Sequence, residues 1–120
     1  MDSFGHVNNA SYLSLFEEAR WAFGTQNGYG FKEVQEHQKG PIVLEVTIKF
    51  LKELKLGDWI TIRSEILDYE GKIGHIKQEI FRDLDDAHPA STAVFVFGFF
   101  DLRLRKLILP TPEWLKAIGY

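Results

Sequence analysis

Apolar residues recur at two different periods along this chain, and the change of period divides it. From Ala10 to about Phe23, the residues Tyr12, Leu15, Phe16, Ala19, Ala22 and Phe23 follow one another at spacings of three and four. That spacing predicts one helix with a single buried face. Ser11, Ser14, Glu17, Glu18 and Arg20 fall mainly off that face, so Glu17 and Glu18 read as solvated carboxylates. Asn8 or Asn9 has the side-chain oxygen of an N-cap, and Gly24 reads as the C-terminal stop. The stretch 25–40 is polar and contains Gly28, Gly30 and Gly40. It predicts a loop with a short helix over Phe31 to Gln38, covering one end of the core.

From Pro41 onward the period is two. Leu44, Val46, Ile48 and Phe50 share one face of a strand whose other positions carry Glu45, Thr47 and Lys49. A turn follows at Lys55-Leu56-Gly57-Asp58. Ile60, Ile62 and Ile66 then alternate with Thr61, Arg63 and Glu65. Tyr69-Glu70-Gly71-Lys72 predicts a hairpin into a strand in which Ile76 and Ile80 alternate with Lys77 and Glu79. Asp83 to Pro89 reads as a loop. The run Ala93-Val94-Phe95-Val96-Phe97-Gly98-Phe99-Phe100 is apolar at both parities. That marks a central strand covered on both faces, by the helix on one and by another subunit on the other. Pro110 and Pro112 end the strand region, and Pro112-Glu113-Trp114-Leu115 reads as the first turn of a short helix. The sum is an α+β chain with one long helix and four long antiparallel strands. A sheet wrapped around the helix is the economical packing. The sheet's second apolar face then calls for a homo-oligomer.

Length and composition narrow the class. The 120 residues make a single domain, 1–120, with 45% hydrophobic and 26% charged residues. A net charge of -3 argues against nucleic acid as partner. The absence of cysteine removes disulfides and thiol chemistry and fits a reducing compartment. No basic-then-apolar leader opens the chain, and its longest apolar run is too short for a bilayer of about 20 residues. A soluble, cytoplasmic protein with no membrane partner is the expectation. His6, His37, His75 and His88 show no metal-ligand spacing, and no metal site is predicted. Ser91 and Thr92 fit no Ser-His-Asp arrangement.

The candidate chemistry sits at the start. Asp2-Ser3-Phe4-Gly5-His6-Val7-Asn8-Asn9-Ala10-Ser11-Tyr12 places an acid, an imidazole and two amides around one glycine, directly before the helix. The mouth of a helix offers unpaired N–H groups and partial positive charge. An acid and a His held there can act on a group that gains negative charge. Each residue also has a plainer reading: Asp2 as a solvated near-terminal acid, His6 as a packed or capping residue, Asn8 and Asn9 as caps, and Tyr12 as core.

The spacing Asp2-x-x-Gly5-His6-Val7-Asn8-Asn9-x-x-Tyr12, followed by Phe16-Glu17-Glu18-Ala19-Arg20, resembles the signature of hotdog-fold acyl-CoA thioesterases. The nearest branch is that of 4-hydroxybenzoyl-CoA thioesterase. The rest of the chain resembles the family in pattern only, including the turn Leu56-Gly57-Asp58. The resemblance implies a hotdog fold, with the antiparallel sheet wrapped around one long helix, and homodimers or homotetramers with active sites between subunits. It also implies an acyl-CoA substrate, with CoA as part of the substrate and no separate cofactor. Asp2 would be nucleophile or general base, and the backbone N–H of Asn9 an oxyanion donor. Gly5 would allow close approach of the substrate, and Tyr12 would contact it. A similar His and Asn are implicated in the related plant acyl-carrier-protein thioesterases, which points to His6 and Asn8. Among Lys49, Lys52, Lys55, Arg63, Arg103 and Arg105, some would meet CoA phosphates, although each also reads as a solvated sheet cation. Relative to the family, the strand that precedes the motif is expected to be missing from 1–120, so either the true start lies upstream or the chain works without that strand. Other readings are an enoyl-CoA hydratase-like hotdog enzyme and a non-catalytic acyl-binding or assembly domain.

Overall fold

The computed structural model describes residues 9–54, 57–82 and 87–120. Asp2, Gly5, His6 and Asn8 lie outside the described residues, as do Lys55, Leu56, positions 83–86 of the predicted loop and any strand preceding the motif. Within them the elements are α1 (Asn9–Gln26), α2 (Phe31–His37), β1 (Lys39–Phe50), β2 (Ile60–Glu70), β3 (Ile73–Arg82), β4 (Ser91–Asp101), β5 (Lys106–Ile108) and α3 (Pro112–Ala117). The sheet is antiparallel in the order β1-β4-β3-β2. The short β5 pairs with β4 over Phe99 to Asp101, beyond the point where β3 leaves it. β4 is central, as its apolar run predicts. Ala93, Phe95, Phe97 and Phe99 are buried on one face, while Thr92, Val94, Val96 and Phe100 on the other are only partly covered within this chain.

The helix does not stop at Gly24. It runs on to Gln26, and Gly28, at φ 95°, is the left-handed residue that ends it. Tyr29 N–H donates to the Gly24 carbonyl (2.7 Å) and Gly28 N–H to that of Thr25 (3.4 Å), the paired bonds of a Schellman ending. Gly24 is needed for a different reason. A β-carbon there would stand 2.7 Å from the Tyr29 carbonyl oxygen. Gly→Ala inside a helix normally stabilises by about 1 kcal/mol. Here the sign reverses: Gly24→Ala is expected to cost about 1–3 kcal/mol, seen as a lower midpoint in thermal denaturation.

Two β-bulges correct the predicted strand faces. The β1–β4 register shifts between Val43 and Glu45, so Leu44 is the extra residue. The face turned to the helix is therefore Pro41, Val43, Val46, Ile48 and Phe50, opposite Phe99, Phe97, Phe95, Ala93 and Ser91. Leu44 does not belong to it. A second shift between Ile66 and Asp68 lets Tyr69 face Gly74 on the inner side. There it packs edge-on against Phe97. The hairpin at Gly71, the short helix α2 and the proline-started α3 form as the pattern predicts. Thr111 caps α3 by accepting from Trp114 N–H (3.3 Å).

The core forms two clusters. One joins Tyr12 and Phe16 of α1 to Leu54, Ile80, Ala90, Ala93 and Phe95. The other joins Tyr29, Tyr69, Phe97 and Phe99 to Trp114, Ala117 and Ile118 of the C-terminal helix. Of the apolar helix positions, Ala22 and Phe23 are exposed, contrary to the single buried face, and Arg20 turns inward instead. The cause is a gap between the second half of α1 and the sheet.

Candidate functional site

That gap is a cavity of about 530 Å³, within the size range of small-molecule sites. Leu13, Glu17, Arg20, Trp21 and Gly24 of α1 form one wall. Val43 and Val46 of β1 and Ser64, Glu65 and Ile66 of β2 form its sides. Ile76, Phe95 and Phe97 make the floor, and Trp114 and Ile118 close the α3 end. The lining starts at Leu13, one turn past Asn9, the first residue of α1. The first N–H groups of a helix have no acceptor within it. The helix start thus offers hydrogen-bond donors one turn from the cavity.

Polar groups cross the cavity wall in a connected set. Arg20 Nη1 donates to Gln78 Oε1 (2.8 Å), and the guanidinium lies over the Phe95 ring, 4.1 Å from its centroid. Gln78 is 0% exposed. Its Nε2 donates to the Phe16 carbonyl (3.2 Å) and to Ser64 Oγ (3.0 Å). Burial lowers the Arg20 pKa, with Glu17 acting in the opposite direction. This set joins α1, β3 and β2 through three side chains and the Phe16 carbonyl, so its members hold one another in place. At the α3 end, the Tyr69 hydroxyl and Trp114 Nε1 are buried with no hydrogen-bond partner among the described residues. Burial raises the Tyr69 pKa, and the neighbouring Trp114 indole lowers it in part.

Of the motif residues, Asn9 is placed at the helix start and Tyr12 inside the core. Tyr12 donates its hydroxyl to the Lys52 carbonyl (3.2 Å) and packs edge-on against Phe50, outside the cavity lining. Glu17 and Glu18 are both exposed, with Glu17 on the cavity wall. Arg63 lies over Phe81 and Arg105 beside Phe100. Ser91 is buried and donates to the Lys49 carbonyl (2.8 Å). A histidine pair with an acid occurs away from the cavity: His75 Nδ1 and Asp68 Oδ1 are 2.6 Å apart, brought opposite each other by the second bulge. Among the described residues no three His, Cys, Asp or Glu side chains gather as metal ligands, and no helix is long and apolar enough to cross a membrane.

Gln78 and Ser64 did not enter the motif-based reading of the site, and Arg20 entered it only as the last residue of the helix signature, off the buried face. Their signal was present. Gln78 sits between Ile76 and Ile80, and Ser64 between Ile62 and Ile66, at core-facing positions of period two, while Arg20 follows Phe16 by one helical turn.

Comparison with known proteins agrees with this architecture. The sequence pattern of the Thioesterase-like superfamily matches residues 1–118. The chain is 32% identical over 108 residues to the long-chain acyl-CoA thioesterase FadM of Escherichia coli (strain K12), covering 90% of this chain and 80% of FadM. The crystal structure of YbaW, a probable thioesterase from Escherichia coli, superposes with a TM-score of 0.81 at 30% identity, covering 98% of this chain and 87% of YbaW. The fold recurs in SAV2348 from Staphylococcus aureus, solved in complex with CoA, with a TM-score of 0.89 at 24% identity over 99% of this chain and 74% of that one. With a long helix seated on an antiparallel sheet and a match across nearly its whole length, the chain belongs to the thioesterase-like superfamily and has its hotdog fold.

Proposed function

We propose that this protein hydrolyses an acyl-CoA thioester to the free acid and CoA, holding the acyl chain in the cavity between α1 and the sheet. The observation that carries this reading is that cavity, largely apolar and beginning one turn from the helix start, in a chain of this family. A thioester carbonyl gains negative charge on oxygen when it is attacked. The N–H of Asn9 would donate to that oxygen, as an oxyanion donor does in acyl transfer. Asp2 would attack the carbonyl or take the proton from water. His6 and Asn8 would orient the water or the carboxylate. Gly5 would allow the backbone to approach the thioester, and Tyr12 would hold the first turn of α1 against the core. CoA enters as part of the substrate, and no separate cofactor or metal is invoked.

The same reading includes a homodimer or homotetramer. On the sheet face turned away from α1, Val94, Val96 and Phe100 of β4 are only partly covered within this chain, a surface that a second copy would cover. The test of function is thiol release, followed with a chromogenic reagent, across acyl-CoAs from acetyl to palmitoyl. Release that rises with chain length is expected. Absorbance loss from an enoyl-CoA without free thiol would instead identify a hydratase, and tight acyl-CoA binding without turnover a binding domain.

A further inference from the structure

Hydrolysis of a plain saturated acyl chain leaves one part of the cavity unused. Arg20 is a cation in a wall built mainly of aliphatic and aromatic side chains. A guanidinium has five N–H donors. Here one of them meets Gln78 Oε1, and the Phe95 ring covers one face of the group. Among the described residues no carboxylate forms an ion pair with it. Gln78 is itself held by the Phe16 carbonyl and Ser64, so the guanidinium is anchored in place beside the cavity. Polar donors withdrawn from water without acceptors are costly. A ligand that fills the cavity with hydrocarbon alone would impose that cost, and one carrying an oxygen there would relieve it.

The neighbouring charges decide which oxygen. Glu17 and Glu65 line the same cavity. A carboxylate on the ligand would meet Arg20 but also two like charges. A hydroxyl meets both kinds of group, because it accepts from the guanidinium and donates to a carboxylate. We infer that the acyl subsite selects an aliphatic acyl chain bearing a hydroxyl group, with Arg20 donating to that oxygen and Glu17 accepting from it. Arg20 stands eleven residues beyond Asn9, about 16 Å along the helix at about 1.5 Å per residue. The hydroxyl therefore lies well along the chain, away from the thioester. This inference rests on reading the cavity as the acyl site.

The test uses thioethers that cannot be hydrolysed: S-dodecyl-CoA, a mid-chain hydroxy derivative and the terminal hydroxy derivative, each titrated into the full chain by calorimetry. At least one hydroxy derivative is expected to bind about tenfold more tightly than S-dodecyl-CoA, the worth of one hydrogen bond to a charged group. Arg20→Met is expected to bring that ratio to about one. Equal or weaker binding of both hydroxy derivatives by the unmodified protein, or no binding of any probe, overturns the inference whatever the variant does. Thiol release from dodecanoyl-CoA by the same preparation separates the two readings. Hydrolysis without hydroxyl preference removes this inference alone, whereas preference without hydrolysis removes the hydrolase reading and leaves the subsite.

Discussion

Asp2→Asn is expected to lower kcat for thioester hydrolysis by about 10²–10⁴-fold, the usual contribution of a positioned general base, while KM changes little. Asparagine has nearly the shape of aspartate and keeps a hydrogen-bonding oxygen. It carries no charge and cannot take a proton from water or attack the carbonyl. Among the described residues the cavity proposed for the acyl chain is built from α1, the sheet and α3, and an isosteric change of one carboxylate to an amide adds no bulk. A residual rate above the uncatalysed one should remain, because in the proposed mechanism the helix-start N–H of Asn9 would still donate to the developing oxyanion. Steady-state thiol release measures both constants. An unchanged kcat would remove Asp2 from the mechanism and move attention to Glu17, the carboxylate of α1 on the cavity wall.

Phe16→Ala is expected to give the largest loss of stability, about 3–5 kcal/mol. Phe16 is 0% exposed, packs edge-on against Phe95 with ring centroids 5.7 Å apart, and sits in the cluster that binds the first half of α1 to the sheet. The second half of α1 gains little from the sheet because the cavity intervenes. The surrounding side chains belong to a helix and four strands and can close the void only in part. A domain of this size is typically stable by about 5–15 kcal/mol, so the loss is a large share of the whole. Thermal denaturation should show a fall of about 10–20 °C. Leu104→Ala, at a position 61% exposed in the turn before β5, should stay within about 0.5 kcal/mol of the parent. Equal effects at the two positions would contradict the assignment of Phe16 to the core.

The elements that formed as read are those whose period is long and unbroken. The three- and four-residue spacing from Tyr12 to Ala19, the alternation in β2 and β3 and the continuous apolar run of β4 suffice for helix and strands. Features that depend on a single contact were less legible. Leu102 and Leu104 continue the alternation of β4, yet the chain turns there. Asp101 Oδ1 accepts from Arg103 N–H (2.8 Å) and Leu104 N–H (2.9 Å), bonds that also lower its pKa, and Arg105 takes a positive φ of 58°. The strand therefore folds back as β5. Leu44 and Leu67 look like regular strand positions, and only pairing with the neighbouring strand makes them bulges. Gly24 carries the usual mark of a helix end, but its role comes from the Tyr29 carbonyl passing close by.

The candidate site divides in the same way. The opening motif was visible as a motif, since residue types and spacing carry it. The inward turn of Arg20 was not, because a helical position can be assigned to a face only once the sheet it packs on is in place. Gln78 and Ser64 were legible as polar residues at apolar register positions, a pattern that marks a buried hydrogen-bonded set. With Arg20 they form a polar set beside the cavity that draws on three separate elements.

The most direct test of the whole account is the stoichiometry of thiol release from dodecanoyl-CoA by the full chain. Saturable, catalytic turnover that yields free CoA and dodecanoate in equal amounts is expected. Absence of free thiol above the uncatalysed rate, with the folded protein saturated by substrate, would contradict it.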